Sequence, residues 1–267
     1  MVGMFKTSDG IMIDYKVQGE SEEVVVFLNG IFMDYNSWFF ITEQLKGQYR
    51  IILHNFRCQW SSQNGSCSFE RHVEDLKELL DYLKISKVHL VGTSYGAEVG
   101  MFFAVRYPEL VKSLTIITAT ARITPSIKYK ALRWKDGAMS KNKEIFVRSW
   151  INDVYSEQFL DRYPNLFGTI IQRMSQFNYE GAVKLLDAFL ELERKPLLNQ
   201  LSKIGAPALV VSAQFDNIKP VNFSQEIAQQ IPGAKHVCIP DCGHAAVIEK
   251  PKEVLFLIKA HLFFLKN

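Results

Sequence analysis

The chain lacks an excess of either charge: its 267 residues carry 31 Lys and Arg against 28 Asp and Glu, a net charge of +3. No basic block stands out, nor any interleaving of basic and aromatic residues, so no nucleic-acid partner is expected. Cysteine is scarce, four residues in all. The N-terminal stretch MVGMFKTSDG has no basic start leading into a long apolar core and no small-residue cleavage site. No export signal is therefore read, a cytoplasmic location is the default expectation, and the cysteines are expected as thiols. Long hydrophobic runs are also missing. The longest, VLFLIKAHLFFL from Val254 to Leu265, is broken by Lys259 and His261 and falls short of the roughly 20 residues of a membrane span. It reads as a core-facing last helix, and no stable membrane insertion is expected.

Metal ligands are present only as a loose group. His236, Cys238, Cys242 and His244 lie within nine residues, but HVCIP alternates like a strand and the spacing matches no common zinc pattern. No metal and no cofactor are expected. The pattern specifies no oligomeric state.

What the chain does have is an ordinary globular composition, 48% apolar and 22% charged, enough for a large core. MFKTSDGIMIDYKV, with an Asp9-Gly10 turn between two candidate strands, predicts an opening hairpin. The runs VVVFL, RIILH, VHLVG and SLTIIT then alternate with helical periods such as Val73, Leu76, Leu79, Leu80 and Leu83. That rhythm predicts a mostly parallel sheet flanked by helices. From 122 to 201 strand-like runs stop and helical patterns follow one another. The β/α rhythm resumes with PALVVSAQF, VNFSQEIAQQI, HVCIP and the last helix. The predicted organisation is an α/β core over 1–121 and 202–267, with a helical lid inserted over 122–201.

The most informative stretch is VHLVGTSYGAEVGMFFAVRYP. Strand Val88–Val91 leads into Gly92-Thr93-Ser94-Tyr95-Gly96 and then a helix, the strand, sharp turn and helix demanded of a Gly-x-Ser-x-Gly nucleophile elbow. A serine at the tip of such a turn sits in strained backbone, and glycines on either side leave room where a Cβ would collide. With these features the sequence resembles the α/β-hydrolase superfamily, and the resemblance runs along nearly the whole chain. It implies a nucleophile, acid and histidine in that chain order. His244, in the run PDCGHAAVIEKP, matches the family's Gly-His segment with a following Glu and Pro. His236 and His261 read as structural or surface histidines. Asp216, directly after PALVVSAQF in FDNIKP, matches the strand-end acid. Asp241 lies only three residues before His244 and is the weaker alternative, and the strand before, SLTIITATA, offers no carboxylate.

The resemblance implies that His244 takes the Ser94 proton, that Ser94 forms an acyl-enzyme and that Asp216 holds the imidazole. Two backbone N–H groups, from Tyr95 and Ile31, would form the oxyanion hole. Asn29-Gly30 between apolar runs has the form of a hairpin turn, but the parallel rhythm around it argues instead for a strand ending at the site. The sequence departs from the family in two places. Asn29 stands where most relatives carry His, and HNFRCQWSS keeps Arg57 and a serine of an Arg-Gly-x-Gly-x-Ser pattern without its glycines. Arg57 reads as a structural anchor before a substrate contact. Asn29, Trp150 and Phe177 are the candidate substrate-binding side chains. The aromatics Trp134, Phe146, Trp150, Tyr155, Phe159, Phe167, Phe177 and Phe189 would line an acyl pocket or simply pack the lid.

The Asn-Gly start and SQFNYEGAVKLLDAF also resemble acyltransferases that take 3-hydroxyacyl groups from carrier-protein or coenzyme A thioesters. The expected function is a serine-dependent hydrolysis or transfer of the acyl group of a carboxylic ester or thioester. The expected partner is a small-molecule acyl substrate, with acyl-CoA or an acyl-carrier protein among the donors. A non-catalytic, ligand-binding protein of the same fold, and triad-dependent carbon–carbon hydrolysis or perhydrolysis, are the alternatives.

Overall fold

The computed structural model describes residues 1–264. Strands β1 (Val2–Lys6) and β2 (Met12–Gln18) form the predicted hairpin, with Gly10 at φ +89° in its turn. Then come β3 (Val24–Leu28), α1 (Phe39–Glu43), β4 (Arg50–His54), α2 (Phe69–Tyr82), β5 (Val88–Thr93), α3 (Tyr95–Arg106) and β6 (Val111–Ile117). Five helices follow without a strand: α4 (Pro125–Met139), α5 (Lys143–Val154), α6 (Glu157–Arg162), α7 (Leu166–Arg173) and α8 (Tyr179–Leu190). The chain closes with β7 (Ala208–Ala213), α9 (Val221–Gln230), β8 (Lys235–Ile239), the single turn α10 (Ala246–Glu249) and α11 (Pro251–Phe264).

The eight strands form one sheet in the order β1-β2-β4-β3-β5-β6-β7-β8. Among the described residues β2 alone runs against the rest, pairing antiparallel with β1 on one side and β4 on the other. β3 is flanked by β4 and β5, both parallel to it, so Asn29-Gly30 leaves the sheet edge instead of turning back. All five β3 side chains are buried, because a central parallel strand is covered on both faces. Val24, Val26 and Leu28 join the cluster beneath α2, α3 and α9, while Val25 and Phe27 join the one beneath α1 and α11. This is the period of two expected of a strand.

The five-helix excursion does not build a core of its own. Ala131, Trp134, Phe146, Trp150 and Leu185 belong to the same apolar cluster as β3, α2 and α3. α11 buries only Val254, Ile258 and Leu262, one edge four residues apart, and leaves Phe256, Phe263 and Phe264 exposed. The apolar run read from the sequence is thus half core and half surface, and its final residue, Leu265, lies outside the described residues. Among the described residues, no helix is long and apolar enough to cross a membrane.

Candidate active site

The site forms where β3, β5 and β7 end and the chain must change direction. At the end of β5, Ser94 has φ 52° and ψ −120°, a conformation costly for a residue with a Cβ. Its backbone N–H donates to Ile117 O at 2.8 Å, and its carbonyl accepts from Ala97 N and Glu98 N to start α3. The glycines on either side are required by contact: a Cβ on Gly92 would lie 2.6 Å from Ala97 Cα, and one on Gly96 would lie 2.2 Å from Leu28 O. The elbow read from the sequence is present, and its tightness is set by β3 as much as by α3.

Ser94 Oγ lies 2.8 Å from His244 Nε2, and His244 Nδ1 lies 2.7 Å from Asp216 Oδ2. The other carboxylate oxygen of Asp216 accepts from the backbone N–H groups of Ile218 and Lys219, both at 2.8 Å. Two amide donors and the imidazole therefore fix the acid, which is buried. Asp241 is exposed, and its backbone N–H donates to Gln214 Oε1. The four residues of the loose His/Cys group diverge: His236 pairs with Ser212 Oγ at 2.9 Å, Cys238 is exposed, Cys242 is buried and His244 serves the chain just described. Among the described residues, no group of three His, Cys, Asp or Glu is placed to hold a metal ion.

A cavity of about 720 Å³ opens onto Ser94 and His244. The β3 side supplies Gly30, Ile31, Phe32 and Met33, the helical excursion supplies Trp134, Trp150, Tyr155, Ile170, Arg173 and Met174 among others, and Trp60 completes a wall. Of the named aromatics of the excursion, Trp134, Trp150 and Tyr155 reach this wall. Phe177 does not: it stacks on Phe146 with ring centroids 5.0 Å apart and meets Trp60 and Tyr179 edge-on, so it packs the excursion onto the core.

Asn29 is likewise not a cavity residue. It is fully buried, donates to His54 O at 3.0 Å, Asn55 Oδ1 at 3.1 Å and Gln59 Oε1 at 3.2 Å, and accepts from Trp38 Nε1 at 3.0 Å. Both ends of its amide are used inside the protein, so it moors the loop that carries Gly30 and Ile31. Gln59 holds the same loop from below, donating to Gly30 O at 2.7 Å and Ile31 O at 3.2 Å.

Arg57 is an anchor. Its buried guanidinium grips Asp75 at 2.6 and 2.7 Å, Asp9 at 2.9 and 3.0 Å, and Ser66 O at 3.0 Å, a forked geometry only arginine offers. The hydrogen bond from Arg57 holds the Asp9 carboxyl well below the usual range, whereas burial pushes Asp75 up. In this loop Cys58 and Trp60 occupy the places of the missing glycines, and both adopt the left-handed conformation, φ 69° and 48°. The backbone path that the glycines would permit is kept at a conformational cost.

Two further contacts were not read from the sequence. Glu249 accepts from Gly243 N at 2.9 Å, Ser156 N at 2.9 Å and Ser156 Oγ at 2.6 Å, tying the histidine loop to the cap of α6. The signal was the Glu of PDCGHAAVIEKP, recognisable as a motif but silent about its partner. The second is a buried pair: Lys219 Nζ lies 2.6 Å from Glu98 Oε1 and 3.1 Å from Ser94 Oγ. Burial raises the Glu98 carboxyl, while the ammonium and the Thr120 N–H, 2.9 Å away, pull it back. Charged residues inside the apolar runs AEVGMFF and NIKPV were the available signal.

Comparison with known proteins agrees with this geometry. Residues 23–251 match the family described as the alpha/beta hydrolase fold. RutD of Pantoea ananatis, named as a candidate carbamate hydrolase, is 26% identical over 245 residues, covering 89% of this chain and 88% of the relative. 3-Oxoadipate enol-lactonase 1 of Acinetobacter baylyi is 21% identical over 262 residues, 94% and 93% of the two chains. Among solved structures, MGS-M2, an alpha/beta hydrolase enzyme from a deep-sea metagenome library, superposes with a TM-score of 0.91 at 25% identity over 97% of both chains. An eight-stranded, mostly parallel sheet, a serine elbow after its fifth strand and a family match over most of the length agree: the chain belongs to the α/β-hydrolase fold family and is an enzyme of it.

Proposed function

We propose that the protein is a serine hydrolase that cleaves a carboxylic ester or thioester through an acyl-enzyme on Ser94. The observation that carries this reading is the unbroken hydrogen-bond chain from Ser94 through His244 to Asp216, facing a largely apolar cavity. In the mechanism, His244 Nε2 accepts the Ser94 proton as Oγ attacks the acyl carbon. Asp216 keeps the Nδ1 proton in place and offsets the imidazolium charge. The backbone N–H groups of Tyr95 and Ile31 receive the oxyanion. This role suits Gly30, where an added Cβ would come within 3.8 Å of Ser94 Cβ, so the loop passes close to the nucleophile. His244 then returns the proton to the leaving group and activates the acceptor that releases the acyl group. We take water as the acceptor, in keeping with relatives named hydrolase and lactonase. Transfer to a thiol or hydroxyl, as in the acyltransferases resembled by the lid sequence, is the variant that product analysis separates. The helices α4 to α8 act as the lid, and Trp134, Trp150 and Tyr155 receive the acyl group.

The test is labelling with a fluorophosphonate probe, followed by turnover of a panel of esters, acyl-coenzyme A and acyl-carrier-protein thioesters with products identified by mass. Ser94→Ala is expected to abolish labelling, and His244→Ala to reduce turnover on the order of 10⁴-fold with the fold intact. A wild-type protein that neither labels nor turns over any member of the panel would refute the reading.

A further inference from the structure

The pair formed by Lys219 and Glu98 has no role in the mechanism above, yet it sits against the reacting oxygen. Both side chains are nearly or fully inaccessible, at 2% and 0% exposure. A buried ion pair contributes little to stability once its desolvation is counted, so stability alone does not account for one placed beneath the elbow. An ammonium has three donors and no acceptor. One hydrogen bond goes to Glu98 Oε1 and one to Ser94 Oγ, and the ring of Phe189 on α8 covers the group with its centroid 5.2 Å away.

We propose that Lys219 is a further catalytic residue of the serine site: its ammonium, held by Glu98, donates a hydrogen bond to Ser94 Oγ and stabilises negative charge on that oxygen. The proposal rests on the reading of Ser94 as nucleophile. A serine oxygen has one proton and two lone pairs. The proton points to His244 Nε2, and Lys219 occupies one lone pair while the other faces the cavity. As His244 takes the proton, electron density gathers on Oγ beside the ammonium. The Oγ–carbon bond then forms and the carbonyl electron pair moves to the substrate oxygen. Lys219 keeps its three protons throughout. When the acyl-enzyme breaks down, the carbon–Oγ bond cleaves, Oγ leaves carrying charge and recovers its proton from His244, and the same ammonium supports it again.

Glu98 explains why the cation is tolerable there. A lone ammonium would aid the alkoxide but oppose the imidazolium that forms 2.8 Å from the same oxygen. With Glu98 ionised, each of the two cations has its own carboxylate: Asp216 for His244 and Glu98 for Lys219. The net field is a dipole with its positive end at Oγ, preorganised and shielded from water, the arrangement in which such groups act most strongly. Chain geometry supports the coupling. Glu98 stands four residues after Ser94 on α3, and Lys219 uses its backbone N–H for Asp216 and its side chain for Ser94. A single residue thus touches both ends of the triad.

The experiment measures the second-order rate of inactivation by a small alkyl fluorophosphonate, and p-nitrophenyl acetate turnover, across pH for wild type, Lys219→Met, Glu98→Gln and the double variant. The double variant replaces the pair by neutral groups of similar size, a change that buried pairs generally tolerate, and circular dichroism confirms its fold. Losing one charge-assisted hydrogen bond is expected to slow inactivation about 10- to 100-fold in Lys219→Met and in the double variant. In Glu98→Gln the ammonium remains without its carboxylate, which disfavours imidazolium, so the acid limb of the pH profile moves to lower pH. A folded double variant that reacts at the wild-type rate overturns the role of Lys219 and leaves the serine reading standing. Wild-type protein that does not react removes both.

Discussion

His54 ends β4 directly behind the Ile31 loop, and its carbonyl accepts from the Asn29 amide. Its ring is 1% exposed, and neither nitrogen has a hydrogen-bond partner among the described residues. Burial lowers its pKa from 6.5 to about 4. The sign follows from proton counting. Between about pH 4 and 6.5 the unfolded chain binds a proton that the folded chain refuses, so stability falls as pH drops through that window and is intact above it. At about 1.4 kcal/mol per unit, the full penalty is about 3 kcal/mol, of which about 2 kcal/mol is felt between pH 7 and roughly pH 4.5. His54→Leu removes the titration and keeps an apolar side chain in the site. Urea unfolding of both proteins at several pH values gives the difference in unfolding free energy, in which every other titrating group cancels to first order. That difference is expected to shift toward the variant by about 2 kcal/mol from pH 7 to roughly pH 4.5. Two curves that stay parallel over this range would refute the argument that the imidazole is held neutral by burial.

Glu249→Ala removes three hydrogen bonds that join the histidine loop to the start of α6. Expected are a loss of about 2 kcal/mol in urea unfolding, from charge-assisted bonds of this kind, and a fall in kcat exceeding any change in KM. Gly96→Ala would place a Cβ 2.2 Å from Leu28 O. Since the Cβ is fixed to its backbone and the atoms it meets are backbone atoms of Leu28 and Asn29 that cannot step aside, destabilisation on the order of 3 kcal/mol is expected, together with loss of fluorophosphonate labelling. Unchanged melting and labelling would show that the elbow has slack.

The parallel sheet was legible because its strands are continuous β-branched runs, and β3 shows why: both faces are covered, so every side chain is apolar. The elbow was legible because its strand, turn and helix follow one another in a single stretch, although Gly96 answers to Leu28 at the end of β3, which that stretch does not contain. The contact between Asp216 and His244 was legible only through chain order and motif, since nothing local in FDNIKP says that a ring 28 residues downstream will meet the carboxylate. The assignments that failed were side chains whose partners are remote in sequence. Asn29 reads as a polar residue at a strand end, fit for substrate, until His54, Asn55 and Gln59 arrive to use its amide. Phe177 shares the helical spacing of Trp150, but only packing shows which ring faces the cavity and which faces Phe146. Burial of charge was the hardest to foresee, because a lysine between Ile218 and Pro220 resembles any surface lysine until Glu98 is brought opposite.

The left-handed Cys58 and Trp60 bear on how substrate selection can drift. A glycine at either place would trace the same backbone with less strain, but it would project nothing. Trp60 instead sends an indole into the cavity wall, and its Nε1 donates to Phe32 O at 3.1 Å, one residue beyond Ile31. Pocket width and the seat of the loop that carries Ile31 therefore both depend on this side chain, which holds the loop together with Asn29 and Gln59. Any exchange at residue 60 alters the shape of the cavity and how firmly the loop is held at the same time, so the two cannot be tuned there independently.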